Sequence, residues 1–170
     1  MLKIYCSPVR ADNGSATVYS LLEYAYIKEY GGKMPDIEKT PNGKPFFPAR
    51  QDVHFSLSHA STHVLCAISD NDVGVDIEAQ RHISERAVRF FSAPEELLLF
   101  EPLDLWVLKE SYIKLIGGTL MLVKSIRFQY ENGRIITADK VAFSQLYNIA
   151  NCRAAVSTYC GFFPDSVELV

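Results

Sequence analysis

The stretch DLWVLKESYIKLIGG, residues 104–118, does most to decide the fold. Its apolar residues recur at helical spacing, and the Gly-Gly pair at 117–118 predicts the end of the helix. Trp106, Glu110 and Lys114 follow one another at intervals of four residues, so a helix presents them on one stripe. Two interpretations are open: a packed helix with a solvated polar edge, or a helix that carries a site.

Trp106 bears on that choice, because it is the only tryptophan in the chain. A Glu110–Lys114 pair on a wet helix face would contribute only about 0.2–0.5 kcal/mol. Tryptophan is more often packed than exposed, which favours partial burial of the whole stripe. Buried acids and lysines cluster at functional sites, so the stripe is a site candidate, and Lys109 borders it.

The segments before this helix alternate between strand and helix patterns. LKIYCSP at 2–8 predicts a strand, and SATVYSLLEYAYIKEYGG at 15–32 predicts a helix with Ser15 as its N-cap. EKTPNGKPFFP at 38–48 is rich in proline and turn residues and predicts a loop without regular structure.

Three β-prone runs occupy the centre of the chain: HFSLSHAS, HVLCAISD and DVGVDIEA, at 54–61, 63–70 and 72–79. The turn residues at 70–72 predict that the last two runs form a hairpin. ISERAVRFFSAPEELLLF at 83–100 is helical, with Ser84 and Ser92 as candidate helix starts. From residue 120 onward the chain is β-rich, and Asn132-Gly133 predicts a hairpin turn.

Two carboxylates in the sequence GVDIE, Asp76 and Glu78, are two residues apart. On a strand both emerge on one face, while Val75 and Ile77 point to the other. The pair is either a solvated strand face or, if partly buried, a site that needs a cation to keep both acids ionised.

Carboxylates on the strand and on the helix together suit a Mg²⁺ ion, which prefers oxygen ligands and leaves room for phosphate oxygens. Lys44, Lys109 and Lys114 would neutralise the remaining phosphate charge. Phosphoryl transfer is usually catalysed by such a combination of acids, a hard cation and lysines. The residues alone therefore indicate Mg²⁺-dependent phosphate chemistry. His59, at the end of a strand, is more typical of a structural histidine than of a catalytic one.

The composition excludes some classes of protein. The chain has 170 residues, 48% of them hydrophobic and 22% charged, which is typical of a globular protein. A net charge of −3 provides no general attraction to nucleic acid or to an anionic membrane. No apolar run approaches the roughly 18 residues of a membrane span, and no secretion signal is apparent, so a cytoplasmic protein is expected.

These motifs, in this order, resemble the 4′-phosphopantetheinyl transferases, and more closely the surfactin-type, pseudo-dimeric branch than the short trimeric branch. The resemblance extends over residues 43–118. It is carried by GKP at 43–45, FSLSH at 55–59, GVDIE at 74–78, RFFSAPEE at 89–96 and WVLKESYIK at 106–114.

The resemblance implies an α/β (α+β) fold of two similar subdomains related by pseudo-two-fold symmetry, with the active site between them. The boundaries expected are 1–71 for the N-terminal subdomain and 72–170 for the C-terminal subdomain, which would carry the metal site. A duplicated fold also implies a monomer. The implied reaction is transfer of the phosphopantetheine arm of coenzyme A to a serine of an apo acyl or peptidyl carrier protein, which releases adenosine 3′,5′-bisphosphate.

The resemblance also implies roles for individual residues. Asp76 and Glu110 would be Mg²⁺ ligands, with Glu78 a ligand directly or through water. Glu110 would be the general base for the carrier serine as well. Lys114, and less clearly Lys109, would neutralise the transferred phosphate. Further contacts to the coenzyme phosphates are implied for Lys44, Ser58 and His59.

The chain departs from the family pattern at two places: SLSHA lacks the usual final serine, and GGTL at 117–120 stands where a lysine-bearing turn is common. The basic residues that would hold the 3′-phosphate are only guesses: Arg10, Lys33 and Lys39. Two other hypotheses stay open, a non-catalytic relative that binds coenzyme A or a carrier protein, and a small metal-dependent phosphohydrolase.

Overall fold

The computed structural model describes residues 1–9 and 13–170, so the guess at Arg10 lies outside the described residues. The helices are α1 (Gly14–Tyr30), α2 (Glu85–Phe91) and α3 (Pro102–Ile116), with 3-10 turns at Glu96–Leu98 and Leu120–Lys124. The strands are β1 (Leu2–Pro8), β2 (Glu38–Lys39), β3 (Pro45–Phe46), β4 (His54–His59), β5 (His63–Ser69), β6 (Val73–Ala79), β7 (Phe128–Glu131), β8 (Arg134–Thr137), β9 (Phe143–Ile149), β10 (Cys152–Thr158) and β11 (Glu168–Leu169).

The larger strands form two sheets. Sheet 1 has the order β11-β1-β5-β4, and sheet 2 has the order β6-β10-β9-β8-β7. Every pair is antiparallel except β1 with β11, and β2 and β3 form a separate small ribbon. The chain is therefore a mixed α and β protein, as predicted.

The two sheets lie between the two long helices. One core cluster joins Ile4 and Leu65 of sheet 1 to Val75 and Ile77 of sheet 2, so the sheets pack face to face. A second cluster packs α1 on the outer face of sheet 1, and a third packs α3 on the outer face of sheet 2. The layers are thus helix, sheet, sheet, helix, which follows from the period-two alternation of the strands.

The edges of the two sheets meet at β4 and β6, a contact that we call the seam. Among the described residues no backbone ladder joins these strands, since each is the end strand of its own sheet. Instead the Val75 N–H donates to Ser56 Oγ (3.0 Å), and the Ile77 N–H donates to Ser58 Oγ (3.3 Å). Serine hydroxyls therefore satisfy the edge amides that a further strand would otherwise pair.

The hairpin predicted between the second and third central runs is wrong. β5 is paired on both sides, with β1 and with β4, so it has no free edge for β6. The hairpin is formed by β4 and β5, and the turn after β5 carries the chain into sheet 2, where β6 pairs with β10. The turn residues were recognised, but a turn between strands does not reveal whether the chain stays in one sheet.

Helix ends also differ from prediction at two positions. Asn13, not Ser15, is the N-cap of α1, and its side chain accepts a hydrogen bond from the Ala16 N–H (3.0 Å). Ser84 caps α2 as predicted, whereas Ser92 follows the end of that helix and starts no new one. The loop predicted at 38–48 contains the β2–β3 ribbon. The strand at 2–8, the glycine stop of α3 and the Asn132-Gly133 turn are confirmed.

Within the two described ranges, 1–9 and 13–170, every helix is too short or too polar to cross a membrane.

Candidate active site

β6 carries its two acids on one face, as the alternation predicted, and that face is turned toward α3. Val75 and Ile77 belong to the core between the sheets, so Asp76 and Glu78 emerge on the opposite face. Gly74 allows the helix to approach this face, because an added Cβ would lie 1.9 Å from the Ser111 carbonyl oxygen and 2.3 Å from the Leu115 nitrogen. The glycine of GVDIE is therefore a packing requirement that brings α3 to the two acids.

Three consecutive residues of α3 differ in exposure, two of them being buried and one half-buried. Lys109 is fully buried and Ser111 is fully buried, whereas Glu110 is only half-buried. The Ser111 hydroxyl donates to the Leu108 carbonyl (2.8 Å) and lies 2.7 Å from the hydroxyl of Ser157 on β10. These contacts fix the rotation of α3, and they leave Glu110 directed toward β6.

A pocket of about 330 Å³ lies where α3 faces the seam. Its wall brings together residues that are up to 57 positions apart in the chain: Leu57, Ser58, His59, Asp76, Glu78, Trp106, Glu110 and Lys114. Six of these eight are polar residues that the sequence motifs predict as site residues. The fold therefore unites the FSLSH, GVDIE and WVLKESYIK motifs at one place.

Asp76 is buried and held through one of its two oxygens. Its Oδ1 accepts hydrogen bonds from the Ser58 hydroxyl (2.8 Å) and from the Lys114 ammonium (2.7 Å), and Lys114 Nζ also reaches Ser58 Oγ (3.0 Å). Its Oδ2 is buried without a hydrogen-bond partner. A buried carboxylate oxygen without a partner is costly, so Asp76 Oδ2 is an acceptor that a bound cation or donor would satisfy.

The Glu110 side chain forms no hydrogen bond within the described part of the chain. Burial raises the pKa of its carboxyl, and the charge of Asp76 raises it further, while Lys114 lowers it. The negative charge of Glu78 is a smaller cause in the same direction as burial. The site therefore holds an excess of negative charge that one lysine does not neutralise completely.

Glu78 is oriented by neighbours on either side of it. Trp106 Nε1 donates to Glu78 Oε1 (3.2 Å), and the Arg81 guanidinium lies 3.4 Å from Oε2. The Trp106 ring packs edge-on against Phe91, with ring centroids 5.2 Å apart. Trp106 is therefore packed, as predicted, and its indole N–H also orients an acid of the site. Arg81 is exposed and lies outside the matched motifs, so no sequence pattern indicated its place beside Glu78.

The donor set fits a hard cation in part. In the described ranges no group of three or more His, Cys, Asp or Glu side chains stands ready to hold a metal ion. Two carboxylates of the pocket wall nevertheless have oxygens without a hydrogen-bond partner: Asp76 has its buried Oδ2, and Glu110 has both of its carboxylate oxygens. Oxygen donors beside uncompensated negative charge are what Mg²⁺ prefers, and a phosphate-bound ion needs only one or two protein carboxylates.

Comparison with known proteins gives a consistent result. The chain is 42% identical over 90 residues to the 4′-phosphopantetheinyl transferase Sfp of Bacillus subtilis strain 168, a match that covers 47% of this chain and 40% of that protein. It is 40% identical over 126 residues to the 4′-phosphopantetheinyl transferase gsp of Aneurinibacillus migulanus, which covers 64% of this chain and 52% of gsp.

Over the matched part, the chain is similar to the Sfp-type 4′-phosphopantetheinyl transferases. The resemblance inferred from the motifs is thereby confirmed. The chain spans about half the length of these curated relatives, or less. No profile of a protein family matches it.

Two lysines predicted to bind the coenzyme lie away from the pocket. Lys109 is enclosed in the core, where its ammonium donates to Glu96 Oε2 (2.9 Å) and to the Phe91 carbonyl (2.5 Å). Because it is fully buried and paired, it does not reach a phosphate in the pocket, which corrects its assignment to coenzyme binding. Lys44 donates to the Leu115 carbonyl (2.7 Å) at the end of α3 and approaches Asp72 (3.3 Å).

The remaining candidate site residues differ in how far they are exposed. His59 is exposed at the rim of the pocket, whereas Ser58 is buried. The Ser58 hydroxyl donates to Asp76 and accepts from Lys114 and from the Ile77 N–H. Lys33 and Lys39 are exposed and do not line this pocket. Fewer of the candidate residues can therefore contact a ligand directly than the motifs predict.

Proposed function

We propose that this protein transfers the 4′-phosphopantetheine arm of coenzyme A to a serine of an apo acyl or peptidyl carrier protein, releasing adenosine 3′,5′-bisphosphate. The observation that carries this proposal is the pocket at the seam, where the acids and lysine of three separate motifs meet. The curated relatives named 4′-phosphopantetheinyl transferases support it, although each extends well beyond the part matched here.

In this proposal Asp76 and Glu110 hold Mg²⁺, and Glu78 is a ligand directly or through water. The unpartnered Asp76 Oδ2 supports the assignment, since it is a buried acceptor that a cation would satisfy. When bound, the metal supplies positive charge that neutralises the pyrophosphate of the coenzyme. Glu78 is already bonded to Trp106 and near Arg81, which favours contact through water.

Glu110 accepts the proton of the attacking serine. The serine Oγ forms a bond to the β-phosphorus of coenzyme A while the bond from that phosphorus to the bridging oxygen breaks. The proton passes to Glu110, directly or through water, and adenosine 3′,5′-bisphosphate leaves with the bridging oxygen. The raised pKa of Glu110 makes it a stronger base than an exposed glutamate, which supports this role.

Lys114 neutralises charge on the transferred phosphate, and His59 at the rim of the pocket contacts the coenzyme phosphates. Lys44 contributes to phosphate binding only if it leaves Leu115 and Asp72, its present partners. The Ser58 hydroxyl is engaged within the protein, so its contribution is to hold Asp76 and Lys114. Lys109 is left out of the proposed site because it is buried elsewhere.

We also propose the finer architecture: subdomains at 1–71 and 72–170 related by pseudo-two-fold symmetry. The helix-sheet-sheet-helix layering supports a two-part organisation, since each sheet carries one long helix on its outer face. β11 is an exception, because residues 168–169 pair with β1 of the first part. A monomeric state and a cytoplasmic location belong to the same proposal.

The carrier protein would approach the surface around α2. Arg86 and Arg89 are exposed there, beside the exposed ring of Phe90. Carrier domains of this kind are acidic and helical, so a basic and apolar surface would attract one and orient it. This surface adjoins Trp106, which is shared with the wall of the pocket.

Mass spectrometry of a panel of apo carrier proteins tests the proposal. After incubation with this protein, coenzyme A and Mg²⁺, at least one carrier should gain the mass of a single phosphopantetheine arm on its serine. Glu110→Gln should lower the rate by about 100-fold or more, in line with the usual contribution of a general base. Glu23→Gln, which removes an exposed acid from α1, is the matched control and should retain activity.

A second candidate is a non-catalytic relative that binds coenzyme A or a carrier protein. The ion pair between Lys114 and Asp76 favours it, because that acid is already partly neutralised without a metal. Calorimetry distinguishes the two: coenzyme binding that is unchanged by Glu110→Gln, with no transfer to any carrier, would support the binding protein. Release of inorganic phosphate without a carrier would instead indicate a phosphohydrolase.

A further inference from the structure

Lys114 stands where a cation is needed in the free protein. Its ammonium lies 2.7 Å from Asp76 Oδ1 and 3.0 Å from Ser58 Oγ, while its side chain is about one third exposed, at 31%. Asp76 is 8% exposed, so Lys114 approaches a buried carboxylate from the open side of the pocket. The lysine can leave without breaking the core, whereas the acid cannot move.

Ser58 fixes the geometry of this pair. Its hydroxyl donates to Asp76 Oδ1 and accepts from Lys114, and it also accepts from the Ile77 N–H on the strand that carries Asp76. Asp76 is therefore held by the seam whether or not Lys114 is present. Only one oxygen, Oδ1, is used in these contacts, and Oδ2 remains without a partner.

We infer that Lys114 is a placeholder cation: it neutralises Asp76 in the free protein, competes there with the divalent metal, and moves to the phosphate when the metal binds. This inference rests on the proposed function and adds a coupling to it. The metal binds more weakly in the free protein because it must displace or tolerate a neighbouring ammonium. The released ammonium then faces the pocket, where a phosphate can bind it.

The coupling has a consequence for the order of binding. Any ligand that draws Lys114 away from Asp76 raises the affinity for the metal, and the metal raises the affinity for that ligand by the same factor. A phosphate-bearing coenzyme and the cation therefore favour each other's binding, and metal alone is held weakly. Lys114 acts here as a positioning residue before it acts on the phosphate.

The test is calorimetric titration with Mg²⁺ alone, in the absence of any coenzyme. Lys114→Met removes the ammonium and keeps a similar side-chain length, so its affinity for Mg²⁺ should be about tenfold higher than that of the unaltered protein, as expected for loss of an adjacent charge. Lys114→Arg keeps the charge and should bind Mg²⁺ as weakly as the unaltered protein. Lys3→Met removes an exposed lysine from β1 and is the control for the change in net charge.

Thermal unfolding provides a second readout that does not depend on activity. Lys114→Met leaves Asp76 without its ion pair, so the melting temperature should fall in metal-free buffer and rise more steeply with Mg²⁺ than that of the unaltered protein. The inference is overturned if Lys114→Met binds Mg²⁺ no more tightly than the unaltered protein or Lys3→Met. If the unaltered protein nevertheless modifies a carrier protein, the proposed function stands without the placeholder; if it modifies none, the proposed function fails on its own test.

Discussion

Glu110 is a carboxyl group whose surroundings disfavour its charge. Burial and the neighbouring Asp76 raise its pKa, and no hydrogen bond within the described chain compensates for this. Ionised Glu110 therefore costs folding free energy at every pH above its folded pKa. The cost declines as the pH falls through that pKa, and it vanishes below the pKa of an unfolded glutamate, where both states are protonated.

Glu110→Gln should consequently raise the melting temperature at pH 7 to 8 in metal-free buffer. The gain should diminish toward pH 4, because the carboxyl is then neutral in both proteins. Scanning calorimetry over this pH range provides the measurement, with Glu23→Gln as the exposed control. A variant less stable than the unaltered protein at pH 8 would show that the carboxylate is favourably bound instead.

Lys109 forms a buried ion pair that joins several segments to α3. Besides Glu96, its ammonium bonds to the carbonyls of Phe91 and Val123. Glu96 in turn accepts from the Ala93 N–H and the Phe128 N–H, both at 3.0 Å. The pair thus connects α2, both 3-10 turns and β7 to the helix of the site.

Lys109→Met should destabilise the protein by about 3–5 kcal/mol, because it leaves the Glu96 carboxylate buried without its partner. Urea unfolding monitored by tryptophan fluorescence would give the value, since Trp106 is the only tryptophan. Lys3→Met, at an exposed position, should change the free energy of unfolding by less than about 0.5 kcal/mol. A loss below about 1 kcal/mol for Lys109→Met would mean that the pair is not essential to the core.

At the scale of elements, the contact between β6 and α3 depends on Gly74. A side chain there meets backbone atoms of α3, which cannot rotate away. Gly74→Ala should therefore cost about 3 kcal/mol or more, at the upper end of overpacking effects. The proposed transfer activity should fall with it, because α3 carries Glu110 and Lys114.

Gly133 supplies a matched control for this substitution. It lies in the β7–β8 turn at φ 77°, with nothing within 4 Å of an added Cβ. Gly133→Ala should cost only about 1 kcal/mol, from backbone strain alone. Equal losses of stability in the two variants, measured by urea unfolding, would contradict the close-approach role of Gly74.

The sequence predicted which face of each element carries the site residues better than it predicted the partners of those residues. Strict alternation in GVDIE correctly assigned Asp76 and Glu78 to one face, and helical spacing correctly aligned Glu110 with Lys114. Lys109 was misplaced because a lysine between apolar residues suggests an exposed edge, and its partner Glu96 is 13 residues away in a turn. Spacing along one helix cannot reveal a partner on another segment.

At the scale of the whole molecule, the sheets meet without a shared ladder. The seam depends on two serine hydroxyls, Ser56 and Ser58, and on packing between the sheets. Sequence patterns did not predict this role of the two serines, because serines at alternate positions of a strand are typical of an ordinary polar face. They are instead the groups that satisfy the edge amides of β6.

Replacing both seam serines, Ser56→Ala with Ser58→Ala, should accelerate hydrogen exchange at the Val75 and Ile77 amides specifically. Those N–H groups lose their acceptors, whereas amides of β10 keep their ladder partners on both sides. Exchange followed by NMR provides the measurement, with Ala154 and Val156 as internal references. Uniform acceleration at all four amides would indicate global destabilisation rather than an opened seam.

The three neighbours Lys109, Glu110 and Ser111 have a consequence for how relatives of this chain are recognised. Lys109 pairs with a buried acid, and Ser111 joins α3 to Ser157. Two of the three residues therefore serve packing, and only Glu110 faces the pocket. A sequence search based on this triplet therefore selects chains in which α3 packs in the same way, more strongly than chains that share the acidic site. Under the proposed mechanism, active relatives are distinguished from inactive ones only when Glu110 is considered together with Asp76 and Lys114, which lie outside the triplet.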